Sequence, residues 1–263
     1  MAQDSILLEK LGGVARITLN RPDVLNSFDA AMSQSLQEVL AELAADREIR
    51  ALYLTGAGRA FCAGQDLAEA CPKDGPPMTD FAAHVRKVYN PIVLSLRNLP
   101  QPVVCGVNGV AAGAGASLAF ACDLVVASEE ASFLQAFIKI GLVPDTGASW
   151  ILPRLTGTAH AAALMMLGEK LPAPRALELG MIYKVSPLEA LETVGMGLAT
   201  QLAGQPTYAL GLIKKLLNAS ASNTLEQQLE LEADYQGRAG RSLDYAEGVK
   251  AFLDKRKPSF TGA

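Results

Sequence analysis

Histidine and cysteine are scarce in this chain: His84 and His160 are the two histidines, and Cys62, Cys71, Cys105 and Cys122 the four cysteines, among 263 residues. The cysteines show no C-x-x-C spacing and the histidines stand far apart, so neither a zinc site nor a disulfide framework is expected, nor any other metal. This usage suits a reducing cytoplasm, the compartment expected here. Long basic runs are also lacking. The longest is Lys255-Arg256-Lys257, and 23 Lys+Arg against 27 Asp+Glu leave a net charge of −4, which argues against a nucleic-acid partner. The first residues lack the basic-then-apolar order of an export signal, so none is expected. Residues 98–122 carry no charge, but Pro100, Gln101, Pro102, Asn108 and four glycines interrupt them. A buried strand followed by a tightly packed helix explains that run better than a membrane span, and no membrane association is expected.

What the chain does have is apolar residues, 50% of the total, enough for a sizeable core. Strands are expected at Ile6 to Lys10 and Val14 to Asn20, around a Gly12-Gly13 turn, before Arg21-Pro22 breaks the ladder. Asp29 is placed to cap a helix whose apolar stripe, Met32, Leu36, Val39, Leu40 and Leu43, runs to about Ala45. Further strands are expected at Ala51 to Thr55, Val103 to Val107, Leu124 to Ser128 and Tyr183 to Val185. Helices are expected between them at roughly 81–97, 113–121, 145–153, 158–168 and 173–180. Alternating strands and helices favour an α/β fold with buried, largely parallel sheets. No fixed-period repeat is present, which weighs against a simple solenoid. Past Gln205-Pro206 the pattern is purely helical: 207–217, a helix opened by Asn223 and Glu226 as a capping box, and one striped by Tyr245, Val249, Phe252 and Leu253. This divides the chain into a core, 1–204, and a helical region, 205–263, too small to bury its own apolar faces.

Three segments carry candidate chemistry. Gly56-Ala-Gly-Arg-Ala-Phe-Cys-Ala-Gly-Gln-Asp-Leu67 follows a strand; it reads either as an ordinary turn or as a loop whose free N–H groups bind an anion. It is not a P-loop, since no Gly-Lys-Ser/Thr follows. Gly106-Val-Asn-Gly-Val-Ala-Ala-Gly-Ala-Gly-Ala-Ser117 opens a helix of small residues, and reads either as an anion-binding helix start or as close packing. Gly115-Ala-Ser117-Leu-Ala119 departs from a nucleophile elbow at its last position, and neither histidine is spaced to serve it. In Ile140-Gly-Leu-Val-Pro-Asp145-Thr-Gly-Ala-Ser-Trp150, Asp145 is either a helix N-cap or a carboxylate on the wall of an apolar pocket. His84, between Ala83 and Val85, is expected at the surface or in packing.

In this order the segments resemble the enoyl-CoA hydratase/isomerase, or crotonase, superfamily. The matches are Leu19-Asn-Arg-Pro22 with Leu25-Asn26, Ala60 to Leu67, Pro102 to Asn108-Gly109, Cys122-Asp123, Gly141-Leu-Val-Pro144, Ala176 to Gly180, and Glu247-Gly248 with Phe252. The resemblance implies an α/β fold: a crotonase-like superhelix of strand-strand-helix turns with a C-terminal helical trimerisation region, in a homotrimer or dimer of trimers. It implies an acyl-CoA thioester substrate whose carbonyl oxygen is held by the backbone N–H groups of Gln65 and Ala114. It implies no separate cofactor, coenzyme A being part of the substrate. Coenzyme A is expected to run along Val24, Ala60, Ala63, Gly64, Asp66 and Leu67, the carbonyls of Val24, Ala60 and Ala63 reading the adenine, with Phe252 and Lys255 contributing from the C-terminal region.

The positions where hydratases of the family carry two glutamates hold Ser117 and Phe137, while Asp145 matches the aspartate of dienoyl-CoA isomerases and 4-chlorobenzoyl-CoA dehalogenases. Leu94 and Phe137 stand where dehalogenases have their histidine and tryptophan. Within the family the chain is most similar to ring 1,2-epoxyphenylacetyl-CoA isomerases of phenylacetate catabolism. The similarity rests on Gly64-Gln-Asp-Leu67, on Gly109 to Ala116, and on Gly211-Leu-Ile-Lys214, Asn223-Thr-Leu225, Ala239-Gly-Arg-Ser242 and Asp244-Tyr245; Thr146-Gly147-Ala148 replaces their Cys-Gly-Gly. This implies an isomerase with Asp145 as proton shuttle and an acyl pocket of Ser117, Phe137, Ile140 and Trp150. The alternatives are a hydratase, a dehalogenase-like enzyme or a noncatalytic acyl-CoA-binding subunit.

Overall fold

A computed structural model describes residues 4–71, 75, 76 and 78–263. The chain opens with an antiparallel hairpin, β1 (Ile6–Leu11) and β2 (Val14–Leu19). Helix α1 (Ala30–Ala45) follows, capped as expected: Met32 N–H donates to the Asp29 carboxylate at 2.8 Å. Three strand-strand-helix turns come next. In the first, β3 (Ala51–Gly56) and β4 (Ala60–Cys62) lead into α2 (Leu67–Ala70), α3 (Phe81–Lys87) and α4 (Tyr89–Asn98). In the second, β5 (Val103–Val107) and β6 (Val110–Ala112) lead into α5 (Ala114–Ala121), and in the third, β7 (Leu124–Ser128) and β8 (Ser132–Leu134) lead into α6 (Ala148–Leu167). Then come β9 (Leu171–Pro172), α7 (Ala173–Glu178), β10 (Lys184–Ser186) and α8 (Leu188–Ala203), and last the terminal helices α9 (Thr207–Ser220), α10 (Leu225–Ala239) and α11 (Leu243–Leu253).

In each turn the first strand enters one sheet and the second strand another. The two sheets run β1-β2-β3-β5-β7-β10 and β4-β6-β8-β9, parallel except at β1/β2 and β8/β9. The coil is the superhelix that the family resemblance implies. Its turns start at Ala51, Val103 and Leu124, too unevenly to register as a repeat in the sequence.

The central strands are buried on both faces, and period-2 alternation sends their side chains to two cores. Ala15, Ile17, Leu52, Leu54, Val103, Cys105, Val125 and Ala127 face the main core, shared with α1, α4 and α5. Val14, Ala51, Tyr53, Val104 and Val126 face a smaller core closed by Leu191 and Ala199 of α8.

Several expectations are corrected. The helix expected over 81–97 is two, broken at Val88. The pair expected at 145–153 and 158–168 holds: α6 is two helical stretches that meet at Gly157, whose φ of +73° and ψ of 166° are not helical. Helix α8 went unforeseen because Gly195 and Gly197 interrupt its stripe; Gly195 sits against the Tyr53 ring. The strands of the second sheet are two or three residues long, too short to show a period. The capping box of α10 is Thr224 with Gln227, rather than Asn223 with Glu226.

Candidate active site

The two glycine-rich loops meet back to back. Gly64 has φ +94°, and a Cβ there would stand 2.9 Å from the Ala112 oxygen and 3.4 Å from the Ala114 nitrogen. A Cβ on Gly115 would stand 2.3 Å from the Cys62 oxygen. Only glycine permits this approach, so its place in both loops follows from backbone contact. The contact sets Gln65 beside the first residue of α5. Among the described residues neither the Gln65 N–H nor the Ala114 N–H has a hydrogen-bond partner. Phe28 bridges the residues on either side of Gln65: its N–H donates to the Gly64 oxygen at 2.7 Å, and its oxygen accepts from Asp66 N–H at 2.8 Å. Two free donors at the rim of a buried helix N-terminus form an anion-binding corner.

Asp145 is not a helix cap. Gly147 takes the N-cap position of α6, and the Asp145 carboxylate accepts instead from the neighbouring Thr146 hydroxyl at 2.7 Å. Desolvation raises the Asp145 carboxyl above the ordinary range, against the pull of the Thr146 hydroxyl and of nearby His84. Thr146 is buried at φ +53°, a left-handed conformation costing a β-branched residue about 1–3 kcal/mol. A half-buried carboxylate held on a strained turn and released from capping is free for proton transfer.

The other expected site residues divide. Phe137 is buried, its ring tip 3.8 Å from where a Cβ on Gly113 would stand at the start of α5, and Ser117 is fully buried, its hydroxyl donating to the Gly113 oxygen at 3.1 Å. Ile140 and Trp150 are 56% and 42% exposed within the protomer, and Trp150 carries the Arg154 guanidinium 4.0 Å above its ring. Of the three carbonyls expected to read adenine, only that of Ala63 has no partner among the described residues. The Ala60 oxygen accepts from Asn26 and Asn108 at 2.8 and 3.2 Å, and the Val24 oxygen from the Ser27 backbone and hydroxyl. Asp66 is occupied as well: it caps α2 and pairs with Arg21 at 3.0 Å. Leu67 is exposed beside the loop, and Phe252 and Lys255 stand in solvent, with no hydrogen bond or ion pair to residues 60–67.

Two side chains near the corner were not foreseen as functional. His84 Nε2 lies 2.7 Å from the Gln65 side-chain oxygen, and the Tyr89 hydroxyl donates to the same oxygen at 2.5 Å. Burial pushes the Tyr89 hydroxyl well above its usual pKa, with Asp145 among the charges that add to it, so Tyr89 remains a donor.

The family model for enoyl-CoA hydratase/isomerase matches residues 9–263. The chain is 52% identical over 250 residues to a 1,2-epoxyphenylacetyl-CoA isomerase of Escherichia coli K12, covering 95% of each chain. It is 43% identical over 262 residues to a "probable enoyl-CoA hydratase" of Rhodobacter capsulatus, covering 100% of both. The crystal structure of an enoyl-CoA hydratase from Bacillus anthracis superposes with a TM-score of 0.93 at 31% identity, over 98% of this chain and 100% of that one.

Proposed function

Because the chain belongs to the enoyl-CoA hydratase/isomerase family, we propose that it is an acyl-CoA isomerase, converting ring 1,2-epoxyphenylacetyl-CoA to oxepin-CoA, shifting a β,γ double bond of an enoyl-CoA to α,β, or both. The observation that carries this reading is the Asp145 carboxylate, desolvated and excluded from helix capping, on the side of the corner where His84 reaches Gln65. For a β,γ-enoyl-CoA, the ionised Asp145 takes the α proton, and the C–H electron pair moves into a dienolate with its charge on the thioester oxygen. The N–H groups of Gln65 and Ala114 meet that oxygen as its charge grows. Asp145 then returns the proton to the γ carbon, restoring its own charge and leaving the α,β alkene. Its raised pKa suits both halves, since a base that must also give the proton back works best nearer the operating pH. The reaction needs nothing beyond coenzyme A on the substrate, with Phe137 and Ser117 beside the acyl group.

Hydration is the second reading, favoured by the hydratase-named relative. Against it, Phe137 has no proton to exchange and the Ser117 hydroxyl is committed to Gly113, so neither residue activates water. The terminal helices also suggest assembly into a homotrimer or dimer of trimers. Ile213, Leu217, Leu225, Leu243 and Phe252 are each at least half exposed, and Leu212, Ile213, Leu216, Leu229 and Tyr235 line a groove of about 580 Å³ between α9 and α10.

Asp145→Asn tests the assignment. The amide preserves size and still accepts from Thr146, so affinity for a nonreactive acyl-CoA, measured by titration calorimetry, should be nearly unchanged. Isomerisation of a β,γ-enoyl-CoA and of the epoxide should fall by about 10²–10⁴, the usual cost of a lost general base. A variant keeping more than roughly a tenth of the wild-type rate lies outside that range and removes Asp145 from the mechanism. Wild-type protein that binds acyl-CoA without turnover would be a noncatalytic binding subunit, and brisk crotonyl-CoA hydration would favour the hydratase.

A further inference from the structure

One amide is gripped by side chains from three helices. The Gln65 oxygen faces Tyr89 Oη at 2.5 Å and His84 Nε2 at 2.7 Å, while its NH₂ donates to Glu69 at 3.3 Å. A carboxylate only accepts, so Glu69 fixes which way the Gln65 amide turns, and its oxygen is left for Tyr89 and His84. His84 Nε2 therefore carries a proton toward Gln65. His84 and Tyr89 flank the Val88 break between α3 and α4, their rings edge-to-face at 5.6 Å. Tyr89 is 3% exposed and packs edge-on against Phe28, the residue whose backbone bridges Gly64 and Asp66. Gln65 is thus tied at both neighbouring peptides and at its side chain, while its own N–H has no partner among the described residues.

A donor aimed at a developing charge is useful only if its direction is set before the charge appears. We propose that His84 and Tyr89 are positioning residues, which clasp the Gln65 side chain and thereby hold the Gln65 N–H at the angle that meets the substrate's thioester oxygen. This rests on the acyl-CoA reading of the same corner. It gives the α3–α4 break a purpose: a continuous helix would not present His84 and Tyr89 to one acceptor.

The test uses full-length His84→Leu, His84→Gln and Tyr89→Phe, each checked for a native thermal transition. Glutamine keeps a donor at the place of Nε2; leucine and phenylalanine keep bulk without it. Two signals are read: kcat and KM on a β,γ-enoyl-CoA, and the absorption band of bound cinnamoyl-CoA. The band of this conjugated thioester moves to longer wavelength when its carbonyl is polarised. Losing an oxyanion donor outright costs about 10²–10³ in kcat, so tilting one should cost about tenfold, with KM changed less than about twofold. His84→Leu and Tyr89→Phe should lose part of the red shift in step with kcat, and His84→Gln should recover most of both. An undiminished red shift in the first two variants overturns the proposal, as does a His84→Gln as impaired as His84→Leu. Wild-type protein that red-shifts cinnamoyl-CoA without isomerising anything refutes the isomerase reading and leaves the clasp to be judged by the spectrum. Wild-type protein that binds no acyl-CoA refutes both.

Discussion

Helices α5 and α10 make opposite use of the same backbone geometry. Every residue of α5 is buried, while none of α10 is, although α10 is almost twice as long. In α5 the side chains are mostly Ala, Gly and Ser, so its ends can be driven into the centre of the coil until Gly115 touches Cys62. The dividend is position: an unpaired N–H at a fixed, water-poor place. Helix α10 has a capping box and an internal Arg238–Asp234 pair at 2.7 Å, local devices that let a helix form with little burial. Two of its three leucines, Leu225 and Leu229, remain open within the protomer. One helix is determined by what surrounds it; the other is locally competent and leaves apolar residues uncovered within the protomer.

The most damaging way to break this contrast is to add one methyl group to the buried helix. Gly115→Ala puts a Cβ where the Cys62 oxygen lies 2.3 Å away, forcing the α5 N-terminus out of place. Isomerase activity should fall by about 10²–10³, as if an oxyanion donor had been removed, with about 1–3 kcal/mol lost in denaturant unfolding from overpacking. Unchanged activity would mean that the corner does not hold the substrate oxygen.

A smaller effect is expected at the exposed helices. Leu225 and Leu243 are the first residues of α10 and α11 and are 70% and 72% exposed. Aspartate at both suits the helix dipole, by about 0.3–1 kcal/mol each, so the protomer should stay folded. An assembly that buries these leucines would lose about 1.5–3 kcal/mol for each. Light scattering should show the double variant dissociating at concentrations where the wild type is trimeric or hexameric. A wild-type monomer at micromolar concentration would refute the assembly outright.

The smallest effect is a pH dependence of stability. The folded-state pKa of Asp145 is raised, so its ionisation is easier in the unfolded chain. The carboxylate therefore costs nothing below the unfolded carboxylate pKa and increasingly destabilises the fold as pH rises through the folded value. Asp145→Asn should match wild type in Tm at acid pH and exceed it slightly at neutral pH. A variant less stable at neutral pH than at acid pH, relative to wild type, would show Asp145 to be structural.

Much of the site was legible because it is made of backbone. Gly64, Gly113 and Gly115 are demanded by close approach or positive φ, and such demands appear in the sequence as glycine after a strand. The N-cap at Asp29 and the helical stripe of α1 were legible for the same local reason. Asp145 was ambiguous, since an aspartate ahead of Thr-Gly-Ala-Ser reads first as a cap and second as a pocket carboxylate, and only the placing of Gly147 as the cap removed the first reading. Val24, Ala60 and Asp66 were expected at coenzyme A. Their oxygens are instead engaged by Ser27, by Asn26 and Asn108, and by Arg21, partners that no local pattern announces.

By itself, then, the sequence determined the family, the order of the two donor loops and the carboxylate, and the amphipathic helices at the end. These depend on backbone conformation and on periods of two to four residues, which short stretches encode. Tertiary structure alone decided that Asp145 is released from capping, that Ile140 and Trp150 are only about half covered within the protomer, and that His84 and Tyr89 close on Gln65. The last are contacts across 19 and 24 residues of chain. Their geometry is set by the break between α3 and α4 and by the packing of Tyr89 on Phe28, and a side chain's direction in such a contact has no signature shorter than the fold.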